Sequence, residues 1–213
     1  NIKGIASAKA EIIDTIKSNG TIIINRDDRF FKYLFKKARL KKLKIITFGK
    51  NKKSDICPLR IYEGKFLTKI FFKVKDEKID LTVKNINIYN ILASLAVIKE
   101  LNLSLNKTKK IFKNFEPTEG RGKMHIISRY NKKFRLIDES YNANPLSVKN
   151  AINNFKKIKK KKFKKYLILG DMLELGHKSE KYHKDLSKVI NKSNIDKVFI
   201  KGEKTLFTYK NLH

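Results

Sequence analysis

The stretch FRLIDESYNANPLSVKNAINNFKKIKKKKFKKYLILGDMLELG, residues 134–176, decides the fold of this chain. Residues 134–137 and 166–169 are apolar enough to form two buried strands. Between them, Asn144 and Pro145 are typical of a helix start, because asparagine accepts hydrogen bonds from free N–H groups and proline fits the first helical position. Apolar residues then recur at helical spacing, and a lysine-rich surface turn is expected before the second strand. The stretch therefore predicts a strand–helix–strand unit of an α/β fold.

Polar residues follow both predicted strands. Asp138 and Glu139 come directly after the first strand and lead into the loop 140–144, whereas Asp171 and Glu174 follow the second strand. In an open α/β sheet, ligands bind outside the carboxyl ends of the strands. We therefore expect a binding site formed by these loops.

Two motifs in this stretch, DESYNANP at residues 138–145 and LGDMLELG at residues 169–176, together resemble the Mur ligases of peptidoglycan synthesis. The resemblance covers nearly the whole chain. It implies that residues 1–122 are the later part of a P-loop-type ATP-binding domain with an antiparallel meander. Residues 123–213 would then be an incomplete Rossmann-like C-terminal domain.

The phosphate-cradling motif G-x-x-x-x-G-K-[ST] does not occur in the sequence. In the Mur ligases this loop lies upstream of the segment that matches the start of this chain. We therefore expect a fragment that lacks the N-terminal domain, the phosphate-cradling loop and the extreme C-terminus, and that does not catalyse a reaction alone.

The resemblance implies ATP-dependent amide bond formation with ATP and Mg²⁺ as cofactors. ATP would phosphorylate a carboxylate of UDP-N-acetylmuramoyl-tripeptide, and the amine of D-alanyl-D-alanine would attack the acyl phosphate. It also implies a cytoplasmic monomer without a specific nucleic-acid partner or membrane insertion. Another Mur ligase or folylpolyglutamate synthase is the alternative within this enzyme class, although the two motifs weigh against it.

Lys9 lies in the segment IASAKAEI of a predicted helix, residues 4–18, whose apolar stripe is formed by Ile5, Ala8, Ile12 and Ile16. A similar segment of the Mur ligases supplies a lysine that becomes carbamylated and helps to hold Mg²⁺, and Lys9 matches that position. A carbamate is an anionic oxygen ligand, which suits a hard cation. The alternative is an ordinary exposed lysine.

Asn87 and Asn90 lie three residues apart and share one face of a predicted helix. An amide offers a donor and an acceptor together, as the edge of adenine requires. The Mur ligases carry two similar asparagines beside adenine, but Ile86 replaces their neighbouring histidine here. The alternative is that Asn87 only caps the helix.

Arg121 lies between two glycines, which allow its guanidinium to approach phosphate oxygens closely. The resemblance implies that Arg121 contacts an ATP phosphate and takes part in catalysis. An acid at the end of strand 134–137 grips the ribose hydroxyls in the Mur ligases. Glu139 matches this acid best, with Asp138 beside it.

Six residues are expected on the resemblance to contact the incoming substrates: Ser140, Tyr141, Asn142, Asn144, Asp171 and Glu174. For the residues between 140 and 144 the alternative is a capped turn. For Asp171 and Glu174 it is the N-terminus of the following helix. His183 matches a histidine of the Mur ligases, and we expect a structural role for it.

The other segments predict the scaffold. Alternating apolar residues between residues 55 and 84 predict a three-stranded antiparallel meander. A hairpin or two adjacent strands are predicted at 124–129 and 134–137, and 196–201 is expected to be one more strand of the sheet that contains 166–169. A further helix is predicted at 106–115, and short strands at 21–24 and 44–48. Between them, the NRDD segment at residues 25–28 has counterparts in the Mur ligases and is also typical of an Asx turn.

The net charge of +31 allows a second class of function, because a basic surface attracts polyanions. The 51 basic residues are mostly lysines spread along every segment, whereas nucleic-acid readers usually cluster arginines on one face. A lysine-rich polyanion-binding module therefore remains the rival interpretation. The single cysteine excludes an internal disulfide and fits a reducing compartment.

Overall fold

The computed structural model describes residues 2–64, 67–84, 87–158 and 163–213. The chain divides into two compact units, Asn1–Phe115 and Glu116–His213. Both units combine helices with strands, so the predicted α/β class is confirmed. No helix in the described part of the chain is both long enough and apolar enough to cross a membrane.

The sequence placed the domain boundary after residue 122, whereas the structure groups residues 116–122 with the second unit. Hydrogen bonds hold this segment there. The N–H of Gly122 donates to the carbonyl of Asp138 over 2.7 Å, and the N–H of Tyr141 donates to the carbonyl of Gly120 over 3.1 Å.

The first unit contains five helices and five strands in its described residues. The helices are α1 (Ile2–Ala10), α2 (Ile12–Thr15), α3 (Phe31–Leu40), α4 (Ile88–Glu100) and α5 (Leu105–Asn114). The strands are β1 (Thr21–Asn25), β2 (Lys44–Phe48), β3 (Ile56–Glu63), β4 (Thr68–Val74) and β5 (Glu77–Val83). They form one sheet in the order β1-β2-β3-β4-β5. The predicted meander is thus confirmed as β3–β5; Phe66, at which its second strand was expected to begin, lies outside the described residues.

The meander continues the parallel part of the sheet, because β3 pairs in parallel with β2. Alternate residues of β4 and β5 are buried: Ile70, Phe72, Val74, Ile79, Leu81 and Val83. Ile91, Leu92 and Leu95 of α4 belong to the same core. Since each fully buried large apolar side chain contributes roughly 1.5–3 kcal/mol, this layer is a main source of the unit's stability. It also fixes α4, which carries Asn90.

The apolar stripe predicted for the first helix is wrong for Ile5, Ala8 and Ile12, whereas its fourth residue, Ile16, packs against the core. The helix ends at Ala10 and a short second helix begins at Ile12. The buried residues are Ala6, Ala10 and Ile13, whereas the side chains of Ile5 and Ile12 are exposed. Ala6 and Ala10 lie four residues apart and therefore share one face of α1. Their small side chains let this face pack closely against the rest of the unit, and Ile5 and Ile12 point away from it.

The helix predicted at 106–115 forms one residue earlier, as α5. Leu105 and Phe112 pack against the core. Ile111 and Phe115, which were expected on the same apolar side, are exposed.

The second unit contains three helices of the α type and four strands in its described residues. The helices are α6 (Pro145–Lys157), α7 (Ser179–Ile190) and α8 (Thr205–Tyr209). The strands are β6 (Lys123–Arg129), β7 (Lys132–Asp138), β8 (Tyr166–Gly170) and β9 (Lys197–Lys201). A buried cluster joins them: Ile152, Leu169, Met172, Leu186 and Ile190.

The strand–helix–strand unit predicted around residues 134–176 is wrong in its pairing. Within the described residues, β7 pairs only with β6, as an antiparallel hairpin, and Phe134 and Leu136 are exposed. The parallel neighbour of β8 is β9, which follows α7. The hairpin expected from residues 124–129 and 134–137 is confirmed, and the strand expected at 196–201 shares a sheet with β8. The error is the placement of β7 and β8 in one strand–helix–strand unit, since apolar content alone did not show that β7 belongs to a separate hairpin.

Lys165 contradicts the expected lysine-rich surface turn, because it is buried with 1% of its surface exposed. Its Nζ donates to the carbonyl of Phe155 over 2.9 Å, to the carbonyl of Lys156 over 3.2 Å and to Oδ1 of Asn194 over 2.9 Å. A positive charge at the carboxyl end of α6 is favourable, because the last carbonyls of a helix carry partial negative charge. Residues 159–162 of the predicted turn lie outside the described residues.

We predict that Lys165→Met lowers the free energy of unfolding by about 1–3 kcal/mol, because three acceptors in part-buried hydrogen bonds lose their donor. Lys164→Met is the matched control, since Lys164 is exposed. Urea denaturation of the two variants measures the difference. Equal unfolding midpoints would contradict a stabilising role for the buried ammonium.

Candidate functional site

The second unit has an open cavity of about 690 Å³ beside the loop that precedes β6. Its lining residues are Thr118, Glu119, Arg121, Lys123 and Tyr141. Three of these side chains are charged, and two of those are basic. The cavity therefore combines a cationic wall with an aromatic ring, which suits an anionic ligand that carries a planar group.

Arg121 stacks on Tyr141, with 4.4 Å between the guanidinium carbon and the ring centroid. A guanidinium that lies over an aromatic ring can still donate N–H groups to a phosphate at its edge. Gly120 makes this contact possible, because it has a φ of +72° and a Cβ there would lie 2.8 Å from the backbone nitrogen of Tyr141. The GRG sequence thus serves to bring a flat cation against the loop after β7.

Asp138 holds that loop together. Its Oδ1 accepts the N–H of Ser140 over 3.0 Å, and its Oδ2 accepts the N–H of Gly120 over 3.1 Å. Hydrogen bonding from Ser140 is the largest cause that lowers the pKa of Asp138 below its ordinary value. Both carboxylate oxygens are therefore already used to fix the geometry of the loops on either side of the hairpin.

Glu139 is exposed and lies next to the glycine loop, since a Cβ on Gly122 would be 3.2 Å from Oε1 of Glu139. Partial burial of its carboxyl, followed by the charge of Asp138, raises the pKa of Glu139. The second unit thus brings together three residues expected at the nucleotide, Arg121, Asp138 and Glu139, and it places Tyr141, which was expected at the incoming substrates, beside Arg121. Of the two acids, Asp138 is engaged with the backbone, which leaves Glu139 as the acid that faces solvent.

Asn144 caps α6 as the sequence indicated. Its Oδ1 accepts the N–H groups of Leu146 and Ser147, and the hydroxyl of Ser147 accepts the N–H of Asn144. The capped-turn alternative is therefore confirmed for this residue. Ser140, Tyr141 and Asn142 are exposed along the same loop.

Asp171 also caps a helix, but not the one that follows it. Its Oδ1 accepts the N–H of Thr205 over 2.8 Å and its Oδ2 that of Lys204 over 3.2 Å, at the start of α8. Gly202 permits this approach, because its φ is +119° and a Cβ there would lie 2.3 Å from the carboxyl carbon of Asp171. Glu174 is exposed, with a left-handed φ of +59°.

The buried position of His183 agrees with the structural role expected for it. Its Nε2 accepts the N–H of Met172 over 2.9 Å, while Nδ1 lies 2.8 Å from the carbonyl of Ser179. A neutral ring with its proton on Nδ1 satisfies both contacts. The histidine thereby fixes the GDMLELG segment to α7.

The remaining predicted site residues lie in the first unit. Asn87 is the N-cap of α4, and its Oδ1 accepts the N–H of Tyr89 over 2.9 Å. Asn90 is exposed in the same turn, while Ile86 lies outside the described residues. Lys9 is exposed in the last turn of α1.

One group of three metal-ligating side chains occurs within residues 2–64, 67–84, 87–158 and 163–213, and the sequence did not reveal it. The ligand atoms of Glu119, His125 and Asp138 all lie within 4.8 Å of one another. Glu119 is also 2.5 Å from Nζ of Lys123, which is the largest cause of the lowered pKa of Glu119. Glu119 thus contacts two side chains of β6, Lys123 and His125, with 3.0 Å between Nε2 of His125 and the Glu119 carboxylate.

Comparison with known proteins identifies the family of the chain. The model of the Mur ligase middle domain matches residues 1–98, and that of the Mur ligase glutamate ligase domain matches residues 122–209. These two matches define the class of the chain, an α/β protein with a Mur ligase middle domain followed by a Mur ligase glutamate ligase domain. The chain belongs to the Mur ligase family.

Among its relatives are two UDP-N-acetylmuramoyl-tripeptide–D-alanyl-D-alanine ligases. The one from Buchnera aphidicola subsp. Baizongia pistaciae is 32% identical over 94% of this chain and 42% of the relative. The one from Rickettsia prowazekii is 30% identical over 98% of this chain and 46% of the relative. The chain therefore spans less than half the length of these relatives.

Solved structures of low sequence identity share the fold. MurF from Acinetobacter baumannii has a TM-score of 0.82 at 22% identity, covering 100% of this chain and 45% of that protein. The MurF ligase from Thermotoga maritima, determined in complex with ADP, has a TM-score of 0.76 at 21% identity and covers 98% of this chain and 46% of that protein.

We predict that the link between Asp171 and α8 makes stability depend on pH. Partial burial alone would raise the pKa of Asp171, but the N–H groups of Thr205 and Lys204 stabilise the anion, and the net effect lowers its pKa. A depressed pKa in the folded state adds stability above the unfolded pKa, and this contribution is lost as the pH falls through the folded value. Asp171→Asn should therefore flatten the decline in stability below about pH 4.

Urea midpoints of the wild type and Asp171→Asn, measured from neutral pH to about pH 2.5, test this linkage. Glu203→Gln is the control, because it removes an exposed carboxylate from the loop between β9 and α8 without touching the N–H groups of α8. Parallel pH profiles for the wild type and Asp171→Asn would contradict the prediction.

Proposed function

We propose that the protein to which this chain belongs joins D-alanyl-D-alanine to UDP-N-acetylmuramoyl-tripeptide in an ATP-dependent reaction of peptidoglycan precursor synthesis. The observation that carries the proposal is the DESYNANP loop, stacked against Arg121 of the GRG loop, in a chain that belongs to the Mur ligase family. Relatives that align over nearly the whole chain bear the name of this ligase.

The proposed reaction has two steps. A terminal carboxylate oxygen of the tripeptide attacks the γ-phosphorus of ATP, which forms an acyl phosphate and releases ADP. The amine of D-alanyl-D-alanine then attacks the acyl carbon, the nitrogen gives up a proton, the amide bond forms, and phosphate leaves. Arg121 offsets charge on the transferred phosphoryl group through the donors at the edge of its guanidinium.

Three residues are proposed to contact the nucleoside. Asn87 and Asn90 bind the edge of adenine, and Glu139 accepts hydrogen bonds from the ribose hydroxyls. The exposed position of Glu139 supports this assignment, because Asp138 already accepts two N–H groups. Asp138 then contributes by holding the loop that carries its neighbour.

Magnesium supplies additional charge neutralisation when it is bound, and Lys9 as a carbamate is one of its ligands in this proposal. The exposed position of Lys9 supports it, because carbamylation requires access of carbon dioxide to the amine. The donor set is chemically suitable, since a carbamate offers the oxygen ligands that Mg²⁺ prefers.

The incoming substrates meet the loops after β7 and β8. Ser140, Tyr141, Asn142 and Glu174 are exposed and able to contact the peptide. Asn144 and Asp171 act mainly by fixing these loops, since both cap helices. We further propose that the protein is a monomer in the cytoplasm. A reducing compartment suits the buried free thiol of Cys57.

We predict that the full-length protein forms product and releases phosphate only when ATP, Mg²⁺, UDP-N-acetylmuramoyl-tripeptide and D-alanyl-D-alanine are all present. Arg121→Ala should lower kcat by at least about 100-fold, because a positive charge is lost from the transition state. Arg129→Ala is the control, because Arg129 is exposed at the far end of β6. Phosphate release without amide formation would reject the proposed ligation. An active Arg121→Ala enzyme would reject the role proposed for Arg121.

We predict that Lys9→Ala abolishes amide formation, whereas Lys3→Ala on the same helix leaves it unchanged. The physical reason is the loss of an anionic ligand from the magnesium site. Intact-protein mass spectrometry under native conditions with bicarbonate should show the addition of one carbon dioxide to the wild type and not to Lys9→Ala. An unmodified, fully active wild type would refute the carbamate.

A further inference from the structure

We propose that Asp27 and Tyr89 are positioning residues for the adenine-binding asparagines, and that their hydrogen bond sets the ATP affinity of the protein. The inference rests on the proposed function of Asn87 and Asn90. Asp27 lies in the turn after β1, at a distance of 62 residues along the sequence from Tyr89. The two residues connect the first turn of α4 with the loops that follow two parallel strands.

The carboxylate of Asp27 accepts hydrogen bonds from three groups. Its Oδ2 is 2.5 Å from the N–H nitrogen of Lys50 and 3.2 Å from the hydroxyl of Tyr89, and its Oδ1 is 3.2 Å from the N–H nitrogen of Asn51. Lys50 and Asn51 belong to the loop after β2. One carboxylate therefore joins the loops after β1 and β2 to α4.

The position of Asp27 is itself fixed by the chain around it. Its N–H donates to Oδ1 of Asn25 over 3.0 Å, which confirms the Asx turn predicted for NRDD. The neighbouring N–H of Arg26 donates to the carbonyl of Phe48 over 2.7 Å. Gly49 leaves space for the carboxylate, because a Cβ there would lie 2.9 Å from it. The carboxylate of Asp27 is thus held in place by contacts that do not involve α4.

The other end of the link lies in the turn that carries both asparagines. The N–H of Tyr89 donates to Oδ1 of Asn87, and the N–H of Asn90 donates to the carbonyl of Asn87 over 3.0 Å. These bonds make residues 87–90 one rigid unit. The hydroxyl of Tyr89 then limits rotation of that unit about the helix axis, so it controls where the amide of Asn90 points.

The electrostatics of the link are consistent with this role. Burial first, and the neighbouring Asp27 second, raise the pKa of Tyr89, so the hydroxyl keeps its proton and remains a donor. Nζ of Lys50 lies 5.4 Å from the centroid of the Tyr89 ring. The ring is therefore held by a cation at its face and by a carboxylate at its hydroxyl.

We predict that Tyr89→Phe in the full-length protein raises the KM for ATP about tenfold, equivalent to about 1.4 kcal/mol, with little change in kcat. The substitution keeps the ring and removes only the donor. Selectivity for ATP over GTP should fall as well, because the asparagine pair that reads the base loses its fixed orientation. Asp27→Asn should shift KM in the same direction, and the double variant should be no worse than the stronger single one.

Tyr62→Phe is the matched control, because Tyr62 is exposed on β3, and it should keep both kinetic constants. A Tyr89→Phe enzyme with the KM and selectivity of the wild type would overturn the inference. So would a loss of kcat with a lowered urea midpoint and unchanged selectivity, which is the signature of a merely structural residue. A wild type without ATP-dependent ligation would instead remove the proposed function, and the inference with it.

Discussion

The carboxylate of Asp138 is the constraint on which the candidate site depends. One oxygen accepts an N–H from the glycine loop before β6, and the other accepts an N–H from the loop after β7. These contacts place Arg121 over Tyr141 and leave Glu139 exposed beside them. A charge-assisted hydrogen bond is stronger than a neutral one, so a single side chain is able to fix two loops that have no secondary structure of their own.

The same use of aspartate recurs elsewhere in the chain. Asp27, Asp55 and Asp171 each accept at least one backbone N–H, and each lies in a loop next to a strand. Acidic residues are few, 20 against 51 basic ones, and several of them accept hydrogen bonds from the protein's own backbone. The excess of lysine therefore changes the surface far more than it changes the framework of the loops.

Much of the fold could be predicted from local patterns. The meander, α4 and the start of α6 at Asn144-Pro145 depend on residues close in sequence, for which alternation, periodicity and capping are sufficient signals. The failures involve distant partners. The cap that Asp171 gives to α8 and the burial of Lys165 are set by residues about 30 positions away. No local signal separated Lys165 from the exposed lysines beside it.

The bond between Asp171 and the start of α8 has a consequence for synthesis of the chain on the ribosome. The GDMLELG segment emerges well before Thr205, whose N–H lies 34 residues further along. Domains fold as the chain is translated, at about 5–20 residues per second. The nascent segment therefore has to wait seconds for its helix partner, and during this interval its carboxylate is hydrated rather than bound.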